Sequence, residues 1–107
     1  MGNDLDTVFF FNSGSESNDF AYNLAKAYTR NNTVVALRNG YHGTAGNAYN
    51  LTSIGTWTTP LAKGNALERL AWPNFYRNAH NSVESLIKDA EEQLDSNTNG
   101  KVAGLWL

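Results

Sequence analysis

The stretch Asn12-Ser13-Gly14-Ser15-Glu16-Ser17-Asn18 constrains this chain most. It follows a short apolar run, Thr7–Phe11, and precedes a segment in which Phe20, Leu24 and Tyr28 fall at helical spacing beside Ala21 and Ala25. A continuous apolar run rich in β-formers reads as a buried strand, and Ser13 or Ser15 at the head of the next segment reads as a helix start. Strand, small-residue turn and helix together make a site for an anion. The first helical N–H groups lack intrahelical partners, the helix dipole is positive at that end, and glycine lets an oxyanion approach the backbone. Gly14 and Ser15 are therefore candidate phosphate binders. The plainer reading is that Ser13 or Ser15 only caps the helix, with Glu16 or Asn18 satisfying its first turn. Neither glycine fingerprint of nucleotide sites, GxGxxG or GxxxxGK[ST], is present.

The rest of the chain supplies the setting. The helix is expected from about Ser15 to Arg30, with Phe20, Leu24 and Tyr28 on its buried face. Thr33–Leu37 reads as a second buried strand, which predicts a right-handed β-α-β crossover from Thr7–Phe11 and a parallel or mixed sheet. The loop from Arg38 to about Gly46 leaves the carboxyl end of that strand, where open α/β sheets hold ligands. Residues 47–80 read as irregular with at most one short helix, and Lys63-Gly64-Asn65 as a turn. Asn81–Leu94 is an amphipathic helix, with Asn81 and Glu84 spaced as a capping box. Asp95–Gly100 reads as a polar turn and Lys101–Leu107 as a third strand.

Composition excludes several chemistries. A chain of 107 residues with 41% apolar content suits one small globular unit. A net charge of -2 gives no electrostatic case for nucleic acid or an anionic membrane. Without cysteine there is no disulfide or thiol nucleophile, and His42 and His80 alone do not suggest a metal site. No apolar run is long enough to span a bilayer, and the N-terminal Met-Gly-Asn-Asp-Leu-Asp lacks the basic start and apolar core of a secretory signal.

A second motif, Leu37-Arg38-Asn39-Gly40-Tyr41-His42-Gly43, lies about one β-α-β unit past the first. The pair resembles the class III pyridoxal-phosphate (PLP) aminotransferases. The first motif matches that family's N-S-G-S-E-A-N segment, with Ser17 where Ala is usual, and the second its Y-H-G segment. The wording from Leu37 to Leu61, including T-W-T-T-P-L at its end, and Lys101–Leu105 resemble the alanine–glyoxylate branch of the family. The resemblance runs from about Thr7 to Leu107 and is weak between Ala62 and Asn81.

The resemblance implies an α/β fold: an incomplete part of the fold type I large domain, β-α-β with a mixed or parallel sheet, residues 1–107 being an N-terminal portion of that PLP-binding domain. It also implies that later strands of the full sheet lie between the three read here. Pyridoxal 5'-phosphate needs its phosphate anchored, its ring flanked, its pyridine nitrogen kept protonated by a carboxylate and its aldehyde held by a lysine. Gly14 and Ser15 would meet the first need. Tyr41 would stack on the ring, with His42 shaping the same wall. Read alone, Tyr41 is a half-buried loop tyrosine and His42 a structural hydrogen-bonding histidine. Glu16 and Asn18 stay open between site and first helical turn, and Arg38 is an ordinary strand-end cation.

In the family the pyridine-binding Asp and the catalytic lysine lie past the point where this sequence stops. None of Lys26, Lys63, Lys88 and Lys101, its only lysines, sits in a comparable motif. The implied reaction moves an amino group from an amino acid such as alanine to an oxo-acid such as glyoxylate, in a homo-oligomer that is usually mitochondrial, with no nucleic-acid or membrane partner. Two other readings remain open: a class III lyase acting on phosphorylated amino-alcohols, and a non-catalytic fragment that at most binds a phosphorylated ligand.

Overall fold

A computed structural model describes residues 6–59, 67–77 and 82–107. The Lys63-Gly64-Asn65 turn, the Asn81 cap and His80 lie outside the described residues. In chain order the elements are α1 (Gly14–Thr29), β1 (Val34–Leu37), α2 (Gly46–Leu51), a single 3-10 turn (Gly55–Trp57), β2 (Leu67–Leu70), α3 (Val83–Thr98) and β3 (Gly104–Trp106).

Capping chemistry sets both long helices. Ser13 is extended and its Oγ accepts from Glu16 N at 3.2 Å, while the Glu16 carboxylate reaches back to Asn12 N at 2.9 Å. This near-reciprocal pair satisfies donors that the helix itself cannot. α1 ends where Arg30 turns left-handed and its N–H meets Lys26 O at 2.9 Å. The Asn31 amide then donates to Val102 O at 3.2 Å, which ties the end of α1 to the entry of β3. α3 is capped by Ser82, whose side chain accepts from Ser85 N. The helix begins there, and runs to Thr98 instead of stopping near Leu94, so the expected polar turn at Asp95–Gly100 is mostly its last turn. Asn99, left-handed at φ 51°, ends it.

The sheet is parallel throughout, in the order β2-β1-β3. Val34 pairs with Leu67 on one side and Gly104 on the other. A central parallel strand must be apolar on both faces, which Val34-Val35-Ala36 satisfies by being wholly buried. Val34 and Ala36 face α1 and α2, in a core with Tyr22, Leu51 and Ala103 that Ala25, Leu67 and Trp106 flank. Burial of this kind stabilises by about 1.5–3 kcal/mol for a large apolar side chain. On the other face Leu37, Leu70 and Leu105 share an apolar groove with Leu86 and Ala90 of α3.

Four expectations need correction. Thr7–Phe11 is not a strand: its side chains are exposed, Phe10 to 92%, and the rings of Phe9 and Phe11 lean on Phe20 at 4.8 and 5.2 Å. Both edges of β1 are already taken by β2 and β3, so the run has no place beside it, and the crossover from Thr7–Phe11 to β1 does not form in the sheet. For the same reason no further strand lies between β1 and β3, which pair directly.

The buried face of α1 is also not Phe20-Leu24-Tyr28. Tyr22 is buried, whereas Leu24 is 53% and Tyr28 88% exposed. The inward row is Ser15, Asn18, Tyr22, Ala25 and Thr29, polar in its first turns because it faces backbone there. Finally, β2 falls in the stretch read as irregular. Its centre is Glu68-Arg69, which breaks the apolar pattern of a buried strand.

Candidate functional site

The site lies where β1 ends and α1 begins. After Leu37 the chain turns tightly: Gly40 N donates to Leu37 O (3.3 Å) and Ser53 Oγ (3.2 Å), Ser53 Oγ donates to Leu37 O (3.1 Å), and Ser53 N donates to Gly40 O (2.8 Å). One buried hydroxyl, Thr52 Oγ1, accepts from His42 N at 3.0 Å and Gly43 N at 3.2 Å and faces the carbonyls of Gly43 and Ala48. From α1, Asn18 Nδ2 donates to His42 O at 2.8 Å and Ser15 Oγ accepts from Thr44 N at 3.2 Å. The two walls approach closely at Gly43, where a Cβ would come within 2.7 Å of Ser15 Oγ and 2.9 Å of Ala48 Cβ.

α2 completes the support. Its start has no cap of its own, and Asp19 of α1 supplies one by accepting from Asn47 N at 2.5 Å and Asn47 Nδ2 at 2.8 Å. Its end is gripped by Arg69 of β2, which donates to the carbonyls of Asn50 (2.8 Å), Leu51 (2.9 Å) and Thr52 (3.2 Å).

Between these walls is an open cleft of about 290 Å³, lined by Ser13, Gly14, Ser15, Asn18, Tyr41, His42 and Gly43. The structure thus brings the two sequence motifs, and all four candidate binding residues, to one cleft. Two donors face no protein acceptor. Ser13 satisfies the N–H groups of Glu16 and Ser17, which leaves those of Gly14 and Ser15 without a partner among the described residues. A Cβ on Gly14 would meet nothing within 4 Å, so the backbone there is open to a ligand. Tyr41 is 52% exposed and its ring meets Trp57 edge-on at 5.9 Å.

His42 is buried to 7% exposure, and its Nε2 has no hydrogen-bond partner among the described residues. Burial, and then the Arg69 charge, hold its pKa below the ordinary value of 6.5, so the ring is neutral at neutral pH. A buried polar atom left unsatisfied is costly, and this one faces Gly40, where a Cβ would come within 2.7 Å of it. Glu16 and Asn18 also have definite places: Glu16 braces the helix start and Asn18 fastens the aromatic loop to α1. Sequence reasoning missed the parts played by Thr52, Ser53, Arg69 and Asp19. The hydroxyls carry no pattern readable in sequence, although an Arg inside an otherwise apolar strand is a signal that it has a fixed partner.

The three-stranded parallel sheet with its helices matches part of the fold of solved transaminases. A thermostable (S)-enantioselective omega-transaminase from Thermomicrobium roseum superposes with a TM-score of 0.77 at 20% identity, over 89% of this chain and 24% of that one. The taurine:2-oxoglutarate aminotransferase of Bifidobacterium kashiwanohense, solved with PLP and glutamate, gives 0.75 at 23% identity, over 91% and 24%. No protein-family model matches the chain.

Sequence similarity narrows the class. The chain is 37% identical over 102 residues to the mitochondrial alanine–glyoxylate aminotransferase 2 homolog 2 of Arabidopsis thaliana, covering 94% of this chain and 21% of that protein. It is 33% identical over 73 residues to human mitochondrial alanine–glyoxylate aminotransferase 2, covering 68% and 14%. Over a shorter stretch of 39 residues it is 51% identical to ethanolamine-phosphate phospho-lyase homolog 1 of Caenorhabditis elegans, covering 36% and 8%. The chain is therefore related to the class III PLP aminotransferases, among which it is similar to alanine–glyoxylate aminotransferase 2. It spans about a fifth or less of the length of these curated relatives.

Proposed function

We propose that this chain is the portion of a PLP-binding large domain that holds the cofactor's phosphate and one side of its ring. The free N–H groups of Gly14 and Ser15 carry this reading. They sit at a helix start, in an open cleft, where charge-assisted hydrogen bonds to phosphate oxygens are strongest. Tyr41 stands on the wall where an aromatic would flank a flat, electron-poor ring, and His42 shapes the same wall. When bound, PLP supplies an electron sink that accepts and returns an amino group. The chain's own contribution is to bind and orient it: Asn18 fixes the Tyr41–Gly43 loop to α1, Thr52 fixes it to the end of α2, and the neutral His42 adds no charge to the cleft.

Within a longer protein, the corresponding activity is transfer of an amino group from an amino acid such as alanine to an oxo-acid such as glyoxylate, in a mitochondrial homo-oligomer. The mitochondrial alanine–glyoxylate aminotransferase 2 relatives support the reaction and the compartment, and the homo-oligomer rests on the family resemblance alone. The nematode phospho-lyase supports a second reading, elimination of phosphate from a phosphorylated amino-alcohol, which differs in releasing phosphate instead of transferring an amine. The chain by itself binds without catalysing. No described lysine lines the cleft: Lys26 lies over the Tyr22 ring at 5.1 Å, and Lys88 reaches Glu92 at 3.7 Å.

The test is a titration of the 107-residue chain with PLP and with pyridoxal, followed by borohydride and peptide mapping. PLP should bind at least about tenfold more tightly than pyridoxal, since one charged hydrogen bond is worth about that much. Reduction should give no single stoichiometric lysine adduct. Equal affinity for the two would remove the phosphate cradle, and one uniquely labelled lysine would overturn the claim that the chain does not catalyse.

A further inference from the structure

The carboxyl end of the sheet carries a second pocket, of about 300 Å³, lined by Arg38, Asn39, Ser53, Thr58 and Arg69. Its two arginines converge by strand register. Arg69 pairs with Ala36, and Arg38 is two residues beyond Ala36, so both lie on the same face of the sheet. Arg38 N also donates to Leu70 O at 2.9 Å, which holds the two strand ends together.

Among the described residues neither guanidinium has a carboxylate partner. Every acidic residue except Asp4 is described, and none of those described pairs with Arg38 or Arg69. Glu68 is turned to the opposite face, where it accepts from Asn97 Nδ2 at 3.0 Å. Arg69 gives three N–H bonds to the carbonyls at the end of α2, and of the five donors on a guanidinium two remain, one of them Nε–H. The hydroxyls of Ser53 and Thr58 already donate to Leu37 O (3.1 Å) and Ile54 O (3.3 Å), so recognition there falls to the arginines and the Asn39 amide. Two permanent positive charges lining one pocket, with no counter-charge among the described residues, match a doubly charged oxyanion better than a singly charged one.

We infer that the Arg38–Arg69 pocket is a second anion site, built for a dianionic phosphate group and distinct from the Gly14–Ser15 cleft. It draws on none of the residues assigned to the cofactor and does not rest on that reading.

The experiment is a titration of the isotopically labelled chain with inorganic phosphate, above its second ionisation and at constant ionic strength, with backbone amides and arginine Nε–H signals observed together. Saturable shifts are expected at Arg38 Nε, Arg69 Nε and Asn39. Acetate should produce them only at much higher concentration. Arg38→Gln should weaken phosphate at these signals by about tenfold, the usual worth of a charged hydrogen bond. Arg38 is exposed, so this change leaves the fold in place. Arg69 supports α2, and is therefore read through its own Nε signal and not by substitution. Shifts that do not saturate, that acetate reproduces at equal concentration, or that survive in Arg38→Gln would each overturn the site. Signals at Gly14 and Ser15 report the cleft in the same spectra, so either site can fail while the other stands.

Discussion

Gly14 separates a ligand role from a folding role more cleanly than any other residue of the cleft. It occupies the first turn of α1, it is not among the residues with positive φ, and a Cβ there would have nothing within 4 Å. The fold therefore does not need glycine at this position. Gly14→Val should leave stability within about 0.5 kcal/mol of the parent, as for a substitution without strain or burial. A phosphate bound at Gly14 would feel the change directly, because the new side chain enters open space at a residue that lines the cleft. A hydrogen bond to a charged group is worth about 1.5 kcal/mol at the low end. Loss of the Gly14 contact alone then weakens PLP about tenfold, and loss of both contacts about a hundredfold, at 1.4 kcal/mol per decade. Fluorescence titration with PLP and urea unfolding, run on both proteins, measure the two quantities side by side. A variant that folds normally and binds PLP as tightly as the parent refutes the phosphate assignment. A variant that loses several kcal/mol of stability refutes the premise that this glycine is spare.

Two further outcomes follow from the supports of the cleft. Gly46 has φ 55°, and a Cβ there would press on the Asp19 carboxylate, 2.8 Å from its Cγ. Gly46→Ala should cost about 2–4 kcal/mol, from the left-handed backbone and a displaced charged hydrogen bond, seen as a lower urea midpoint; a loss below about 0.5 kcal/mol would be inconsistent with Asp19 acting as the cap of α2. His42 titrates below 6.5 in the folded chain because of burial and Arg69. The unfolded chain takes up this proton more readily, so the contribution to stability is complete above pH 6.5 and declines as pH falls through the lowered folded value. His42→Gln should flatten the decline in stability between about pH 7 and pH 5, and an unchanged slope would place the titrating group elsewhere.

What could be read from the residues divides along physical lines. α1, β1, α3 and β3 each announce themselves locally, through Ser caps, helical spacing or a continuous apolar run. The two motifs stood out through their resemblance to a family pair, since turn chemistry alone favoured plain caps and loops, and the structure brings them to one cleft. Errors arise where a residue answers to something distant in sequence. Glu68 and Arg69 look wrong for a buried strand until Asn97 and the carbonyls of α2 are in place to receive them. The inward face of α1 is marked by Ser15 and Asn18, which bond to loop backbone, while the more apolar Leu24 and Tyr28 stay outside. Hydrophobicity alone ranks those two faces in the wrong order. Thr7–Phe11 has a strand's composition, but pairing is decided by which ladder positions are vacant, and β1 has none left.

The position of β1 has a consequence for the order in which the protein is made. Val34 meets Leu67 on one side and Gly104 on the other, so its two ladders close over very different spans of chain. Pairings between residues far apart form slowly, because the entropy of closing the intervening loop is lost before any contact compensates for it. During synthesis α1 and β1 leave the ribosome first, and a strand destined for burial on both faces waits for neighbours not yet translated. Arg69 reaches α2 only when β2 arrives, and the last edge of β1 is covered only when Gly104–Trp106 emerges. The cleft between α1 and the Tyr41–Gly43 loop should therefore take its final shape late, as nascent chains lengthen past β3, rather than when its own motifs have been made.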